Sequence, residues 1–310
     1  MAINKEIWIN EVQTNLFRGM EWVRQTFNAD AYVNYKTVHI PNCGGQISVT
    51  RNRSQGAAAT ISQQTYNDVS FSLAEFTTNP VLITNLEELE ISSTKLSEAL
   101  KESLNALKQS CGDWMAYEFS PANTSGSTNG INTILRTSGS TRAASYPGTT
   151  GTRNRLCLAD IQAARLTLNR MNCPQNDRHL LIDSSFYNDI LTELGTTTYR
   201  DASRIIDLPN GACDRIMGFT IWERSTVGAA SSGSSTSVTF RRPTDTIYTT
   251  DNAFALFWQA GCISSAIGEI NVFEQSEAPE YYGSIISALM RIGAKCLRSD
   301  FVGVGAIVET

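Results

Sequence analysis

The chain has 310 residues, 41% hydrophobic and 18% charged, which is enough apolar material for one elaborate domain or two modest ones. A formal net charge of -5 excludes a protein built to grip nucleic acid by phosphate neutralisation, which needs a strongly basic face. The seven cysteines include no C-x-x-C pair and, being odd in number, cannot all pair within one chain, so free thiols in a reducing cytoplasm are expected.

Residues 1–36 mix charge with widely spaced apolar side chains (Ile7, Trp8, Leu16, Phe17, Trp22, Val23, Phe27) that follow no single period. The segment reads as an arm whose aromatics dock on the body or on a neighbouring subunit. Lys5 and Glu6 interrupt it too early for a signal peptide. The most apolar run, 254–267, is too short to cross ~30 Å of hydrocarbon.

From 37 onward the apolar period shifts to two, which predicts strands over 37–41, 46–51 and 67–76, with Val69, Phe71 and Leu73 alternating with polar residues. The polar, Gly/Ala-rich segment 52–64 lies between them. Because Ile47, Val49 and Ile61 are the only large aliphatics in 42–64, this hairpin cannot bury a core of its own. Another molecule is expected to hold it.

Thr84 and Glu87 offer a capping box, and Ser93 or Thr94 can cap a longer helix over Lys95–Phe119. Leu96, Leu100, Leu104, Leu107, Cys111 and Trp114 form one apolar stripe at steps of three and four. At 1.5 Å per residue this helix is roughly 37 Å long, a spine whose core residues should be Leu96, Leu100, Leu104, Leu107 and Trp114.

In 120–155, 23 of 36 residues are Ser, Thr, Gly or Asn, which predicts loops and short edges. An α/β pattern follows: a helix over 159–172, a buried strand over Arg178–Asp183, and a helix over Ser184–Leu194 ended by Gly195. Further strands are predicted over 215–223, 245–249, 253–258, 271–276, 285–297 and 302–308, with a Gly/Ser-rich hairpin tip at 228–237.

Catalytic signatures are weak. His39 and His179 are the only histidines, and neither has a local nucleophile motif beside it. There is no G-x-S-x-G and no G-K-[ST], and Gly303 and Gly305 read as a strand pattern rather than a dinucleotide turn. Glu87, Glu88 and Glu90 suit the N-terminal turn of a helix better than a carboxylate site. No catalytic, cofactor-binding or metal-ligating residue is therefore expected. The reading of a different class, a cytosolic hydrolase, would pair a cysteine with His39 or His179.

The order of arm, polar hairpin, spine helix, α/β region and terminal strands resembles the Hong-Kong-97-type major capsid proteins of tailed bacteriophages. The resemblance covers essentially the whole chain and is carried by NDVSFSLAEFTTNPVLITNLEELE (67–90), RHLLIDSSFYNDILTEL (178–194), NGACDRIMGFTIWE (210–223) and the strands of 273–308. It implies an α+β fold with an N-arm (1–36), an extended E-loop (37–76), a peripheral domain with the spine helix (77–122 and 268–299) and an axial α/β domain (123–267 and 300–310).

It also implies a virion protein, assembled in the host cytoplasm into hexamers and pentamers. The shell would enclose double-stranded DNA without sequence-specific contact, with portal, scaffolding and decoration proteins as partners and no membrane or cofactor. Arg51, Asn52 and Arg53 on the loop, and Trp8, Phe17 and Trp22 on the arm, are the expected inter-subunit contacts. An encapsulin-like compartment shell is the same-fold alternative. Two departures from the family follow from the residues: no lysine lies between Lys36 and Lys95, so no E-loop isopeptide crosslink is expected; and the arm begins almost at once, so scaffolding should come from another protein or be dispensable.

Overall fold

In the computed structural model the described residues are 20–44, 51–52, 56, 65–84, 95–121, 127–128, 131–194, 206–207, 212–213, 215–231, 233, 238–298 and 300–310. A single helical turn, Glu21–Arg24, precedes β1 (Phe27–Asn28) and β2 (Val33–Asn34). Strands β3 (Thr37–Gly44) and β4 (Thr65–Ser72) form the expected hairpin, and β5 (Ala74–Thr77) and β6 (Val81–Thr84) lead toward helix α1 (Lys95–Phe119). Then come β7 (Ile134–Arg136), α2 (Leu158–Arg170), β8 (Arg178–Asp183), α3 (Ser184–Leu194), β9 (Phe219–Arg224), β10 (Asn252–Gln259), β11 (Ile263–Ala278), β12 (Gly283–Cys296) and β13 (Val304–Val308).

Two sheets organise these elements. In the first, β11 and β12 pair along most of their length; β1 joins the outer edge of β11, and β5 and β6 join β12. A bulge between Ile267 and Ile270 falls where the sequence placed a domain boundary, and β11 runs continuously through it. The second sheet is ordered Arg215–Ile216, β9, β8, β10, β13, β7. Its centre is buried on both faces, and the period-two alternation sorts side chains cleanly. Ala253, Ala255 and Phe257 of β10 meet α2 and α3, through Ile161, Leu168, Phe186 and Ile190. Phe254, Leu256 and Trp258 face the opposite core, which α1 shares with β12.

Helix ends follow local chemistry. Asp183 accepts a 2.7 Å hydrogen bond from the Phe186 N–H and so caps α3, while the Asp160 carboxylate takes the Cys157 N–H at 3.0 Å at the start of α2. The buried face of α1 runs through Leu104, Leu107, Cys111, Met115, Ala116 and Phe119. This corrects the stripe at Trp114, which is only half-buried and packs edge-on against Tyr117 at 6.1 Å. The cause is an aromatic node at the end of the helix. Phe119 lies 5.3 Å from Trp22 and 5.4 Å from Trp258, all nearly perpendicular, so a step of four from Cys111 to Met115 and again to Phe119 keeps the helix on that node. Leu96 and Leu100 belong to α1, but their side chains lie outside the described residues.

Three other expectations differ. The segment 245–249 is not a strand: Asp245 accepts from the Arg242 N–H and Asp251 from the Tyr248 N–H, both at 2.9 Å, and these local bonds turn the chain. The strand over 215–223 breaks at Met217 and Gly218, both at positive φ (50° and 89°), into a tight hairpin. The strand expected over 46–51 and the capping box at Thr84 and Glu87 lie largely outside the described residues.

Candidate assembly surfaces

The hairpin of β3 and β4 is anchored at its base. Val38 and Ile40 are buried against Ala29, Leu73 and Ala266, the Lys295 ammonium donates to the Ser70 carbonyl at 2.9 Å, and the Leu73 N–H donates to the Lys36 carbonyl at 2.8 Å. Beyond Ile40, every described side chain as far as Asp68 is exposed: Pro41, Arg51, Asn52 and Asp68 itself. The strands stay paired out to Gly44 and Thr65, so the ladder extends four residues, roughly 14 Å, past Ile40. Asn52 sits at φ 53°, and Gly56, exposed, at φ 93°, which marks a turning chain near the tip. Arg53 lies outside the described residues.

Met20 is the first described residue of the N-terminal segment. From there to Asn34 it is woven into its own subunit: β1 adds in parallel to β11 at Ser264 and Ser265, the Asp30 carboxylate accepts from the Ile267 N–H at 2.7 Å, and the Trp258 indole donates to the Gln25 carbonyl at 2.9 Å. Trp22 is 2% exposed, which corrects its expected role as an inter-subunit contact. Its ring fills the space between Phe119 and Trp258 and leaves no surface for a neighbour. Trp8 and Phe17 lie outside the described residues.

Two exposed aromatic features escaped the sequence reading. Tyr281 (52% exposed) and Tyr282 (79% exposed, φ 48°) form the tip of the long β11–β12 hairpin, and Phe273 and Leu82 expose apolar area on the same sheet. The signal was present in Pro279–Glu280–Tyr281–Tyr282–Gly283, a turn sequence holding two adjacent large aromatics between apolar strands. A groove of about 410 Å³ also runs between α1 (Glu102, Ser103, Ala106, Ser110) and the 76–81 connection.

Among the described residues, neither histidine is hydrogen-bonded to a Ser, Thr or Cys side chain. His39 Nδ1 meets the Asp68 carboxylate at 2.6 Å on the exposed hairpin, and His179 is buried, accepting from the Trp222 indole at 3.2 Å. Burial pushes the His179 pKa down, favouring the neutral ring. Among the described residues no three His, Cys, Asp or Glu side chains converge as a metal-ligand set, and no helix is long and apolar enough to cross a membrane.

The densest charge cluster is structural in form. Arg142 donates from Nε to Asp189 at 2.8 Å and brings an NH2 within 3.0 Å of Glu309, close but not aligned as a hydrogen bond. Asp189 also accepts from the Leu156 N–H, and Glu309 from the Ser145 hydroxyl at 3.0 Å. Burial raises the Glu309 carboxyl, opposed by Arg142, and lifts nearby Asp183 to about 6. The cluster ties the 141–154 hairpin to α3 and to the end of β13.

A family model described as phage capsid protein matches residues 23–309. No curated protein matches the chain. Among solved structures, the chain is similar to the capsid of the cyanophage P-SCSP1u at 17% identity and a TM-score of 0.63, covering 92% of this chain and 85% of that one. It is also similar to the capsid of Ralstonia phage GP4 at 13% identity and a TM-score of 0.58, covering 92% and 86%. A third likeness is to the capsid of cyanophage Pam1, at 11% identity and a TM-score of 0.59, covering 91% and 88%. At these identities the likenesses show the fold, the Hong-Kong-97-type architecture implied by the sequence.

Proposed function

The chain belongs to the phage capsid protein family, and we propose that it is the major shell subunit of a tailed-phage head, joined to its neighbours by the β3–β4 hairpin and the residues before Met20. It is a structural protein of the virion capsid, and its chemistry is assembly rather than turnover. The observation that carries this reading is a paired hairpin whose ladder continues outward past Ile40, where the described side chains Pro41, Arg51, Asn52 and Asp68 are exposed. A two-stranded ribbon without its own core is marginal in water, so a neighbouring copy is its natural support. Because each subunit meets several neighbours, modest individual contacts sum to a stable lattice.

In this reading the first sheet with α1 is the peripheral domain and the second sheet with α2 and α3 the axial one, meeting at fivefold and sixfold axes. Arg51, Asn52 and Arg53 contact the next subunit from the loop, and Trp8 and Phe17 anchor the arm. The groove beside α1 and the Tyr281–Tyr282 tip supply receiving surfaces. Portal, scaffolding and decoration proteins act at the same shell, assembly takes place in the host cytoplasm, and the DNA is enclosed rather than gripped, in keeping with the net charge of -5.

The test is deletion of 52–64 from the full chain, followed by electron microscopy of the product. The expected outcome is a soluble, folded subunit that forms no shells; normal particles would refute the role given to the loop. Mature wild-type shells, boiled under reducing conditions, should run as a single monomer band, since no lysine lies between Lys36 and Lys95.

A further inference from the structure

Two thiols lie together where the sheets join. Cys173 follows the end of α2, and Cys262 sits in the short connection between β10 and β11. Both sulfurs lie against the same backbone notch at Gly303, and each thiol also has a long polar contact of its own: Cys262 Sγ donates to Gln259 Oε1 at 3.5 Å and Cys173 Sγ to the Met171 carbonyl at 4.0 Å. That glycine is at φ +85°; a Cβ there would strike the Cys262 sulfur and come 3.2 Å from the Cys173 sulfur. The absence of a side chain at 303 is therefore what lets the two sulfurs occupy one pocket.

Both cysteine backbones are pinned. Arg178, 2% exposed, donates to the Cys173 and Pro174 carbonyls at 2.8 Å each, and the Cys173 N–H donates to the Leu168 carbonyl at 3.1 Å. The Leu297 N–H donates to the Cys262 carbonyl at 2.9 Å. Ordering that would otherwise accompany bond formation is already in place. The other thiols with described side chains differ: Cys111 and Cys296 are buried in the apolar core and pushed up to about 12, and Cys157 is engaged by Ser138 and Asp160.

From this geometry we infer that Cys173 and Cys262 are a disulfide-forming pair, open under reducing conditions and closed by thiol–disulfide exchange with a small-molecule disulfide. The Cys173 thiolate attacks one sulfur of the oxidant and expels a thiolate; the Cys262 thiolate then attacks the Cys173 sulfur and expels the second. Two protein thiols are oxidised, one disulfide is reduced to two thiols, and the two protons pass to the leaving thiolates. The neighbouring Cys262 thiol, with Arg178 and Arg298, lowers the Cys173 pKa, while Cys173 and burial raise that of Cys262, which makes Cys173 the attacking sulfur and Cys262 the one that resolves. The bond would staple the helix layer of the second sheet to the strand junction that continues into the first, closing a loop of roughly 90 residues.

The experiment uses the full chain, as subunits and as particles, incubated with oxidised glutathione or with diamide and then blocked and digested without reductant. The expected result is one cross-linked peptide pair joining 173 to 262, lighter than the separate peptides by two hydrogens and released by reductant. Oxidised wild type should also unfold at a higher temperature than reduced wild type, with no redox dependence in Cys173→Ser or Cys262→Ser. Because the linkage is read directly on the wild type, a variant that folds poorly leaves the test intact. Both thiols remaining alkylatable after oxidation, or a glutathione adduct on one of them without ring closure, would overturn the inference.

Discussion

Trp22→Ala separates two accounts of the N-terminal segment, as an anchor within the subunit or as a contact between subunits. Trp22 is 2% exposed and meets Phe119 and Trp258 edge-on, at 5.3 and 6.4 Å. Truncating a buried tryptophan costs ~3–5 kcal/mol, and loss of two aromatic pairs places this site toward the upper end. One effect opposes it: the Trp22 indole N–H is buried without a partner among the described residues, and removing an unpaired donor returns ~1 kcal/mol or more. The net expectation is a loss of about 3 kcal/mol, a large share of a typical 5–15 kcal/mol stability. Trp22→Phe keeps most of the ring and discards the same N–H, so it should cost about 1 kcal/mol or less. Urea unfolding of the unassembled subunit measures both, as a shift in midpoint at constant slope. A Trp22→Ala subunit that unfolds like wild type yet fails to build shells would refute the intramolecular account and restore the inter-subunit one.

The buried charges give two further expectations. Asp183, lifted by burial from 3.8 to about 6, binds more protons folded than unfolded between those values, so it makes stability fall as pH rises through that window, by up to ~3 kcal/mol. Asp183→Asn keeps an oxygen for the Phe186 N–H and removes the titration; its urea midpoint should vary less between pH 4 and 6 and exceed wild type at pH 7, and an unchanged pH slope would contradict the assignment. Arg142→Met takes the nearest cation from Asp189 and Glu309, whose side chains are 3% and 0% exposed, leaving only Arg155 at 3.9 Å from Asp189, and should cost ~3 kcal/mol at neutral pH. The loss should shrink in acid as the Glu309 carboxylate takes up a proton. Adding Glu309→Gln should recover part of it, and a strictly additive double variant would show that the two side chains are not coupled.

Elements whose pattern repeats over many residues were legible without coordinates. The bounds of α1, β8 and α3 were set by an apolar stripe, a continuous apolar run and a terminating glycine, and the order of arm, hairpin, spine and α/β region carried the family resemblance. Local competition was harder to read. The carboxylates of Asp245 and Asp251 turn a segment that alternates like a strand, and nothing in 245–249 alone says that its N–H groups are taken. At the candidate surfaces, the pairing of β3 with β4 was legible in the alternation, but Trp22 was misplaced and Tyr281 and Tyr282 were passed over.

What the sequence determined by itself was therefore periodicity and deficit: where helices and strands run, and which stretch lacks a core. Tertiary structure decided which aromatic finds partners inside the subunit and which stays outside. Trp22 is buried because Phe119 and Trp258, 97 and 236 residues further along, come together beside it. It likewise decided that Cys173 and Cys262 share a notch at Gly303. Such meetings depend on packing between distant segments, and the pattern of neighbouring residues along the chain does not encode them individually.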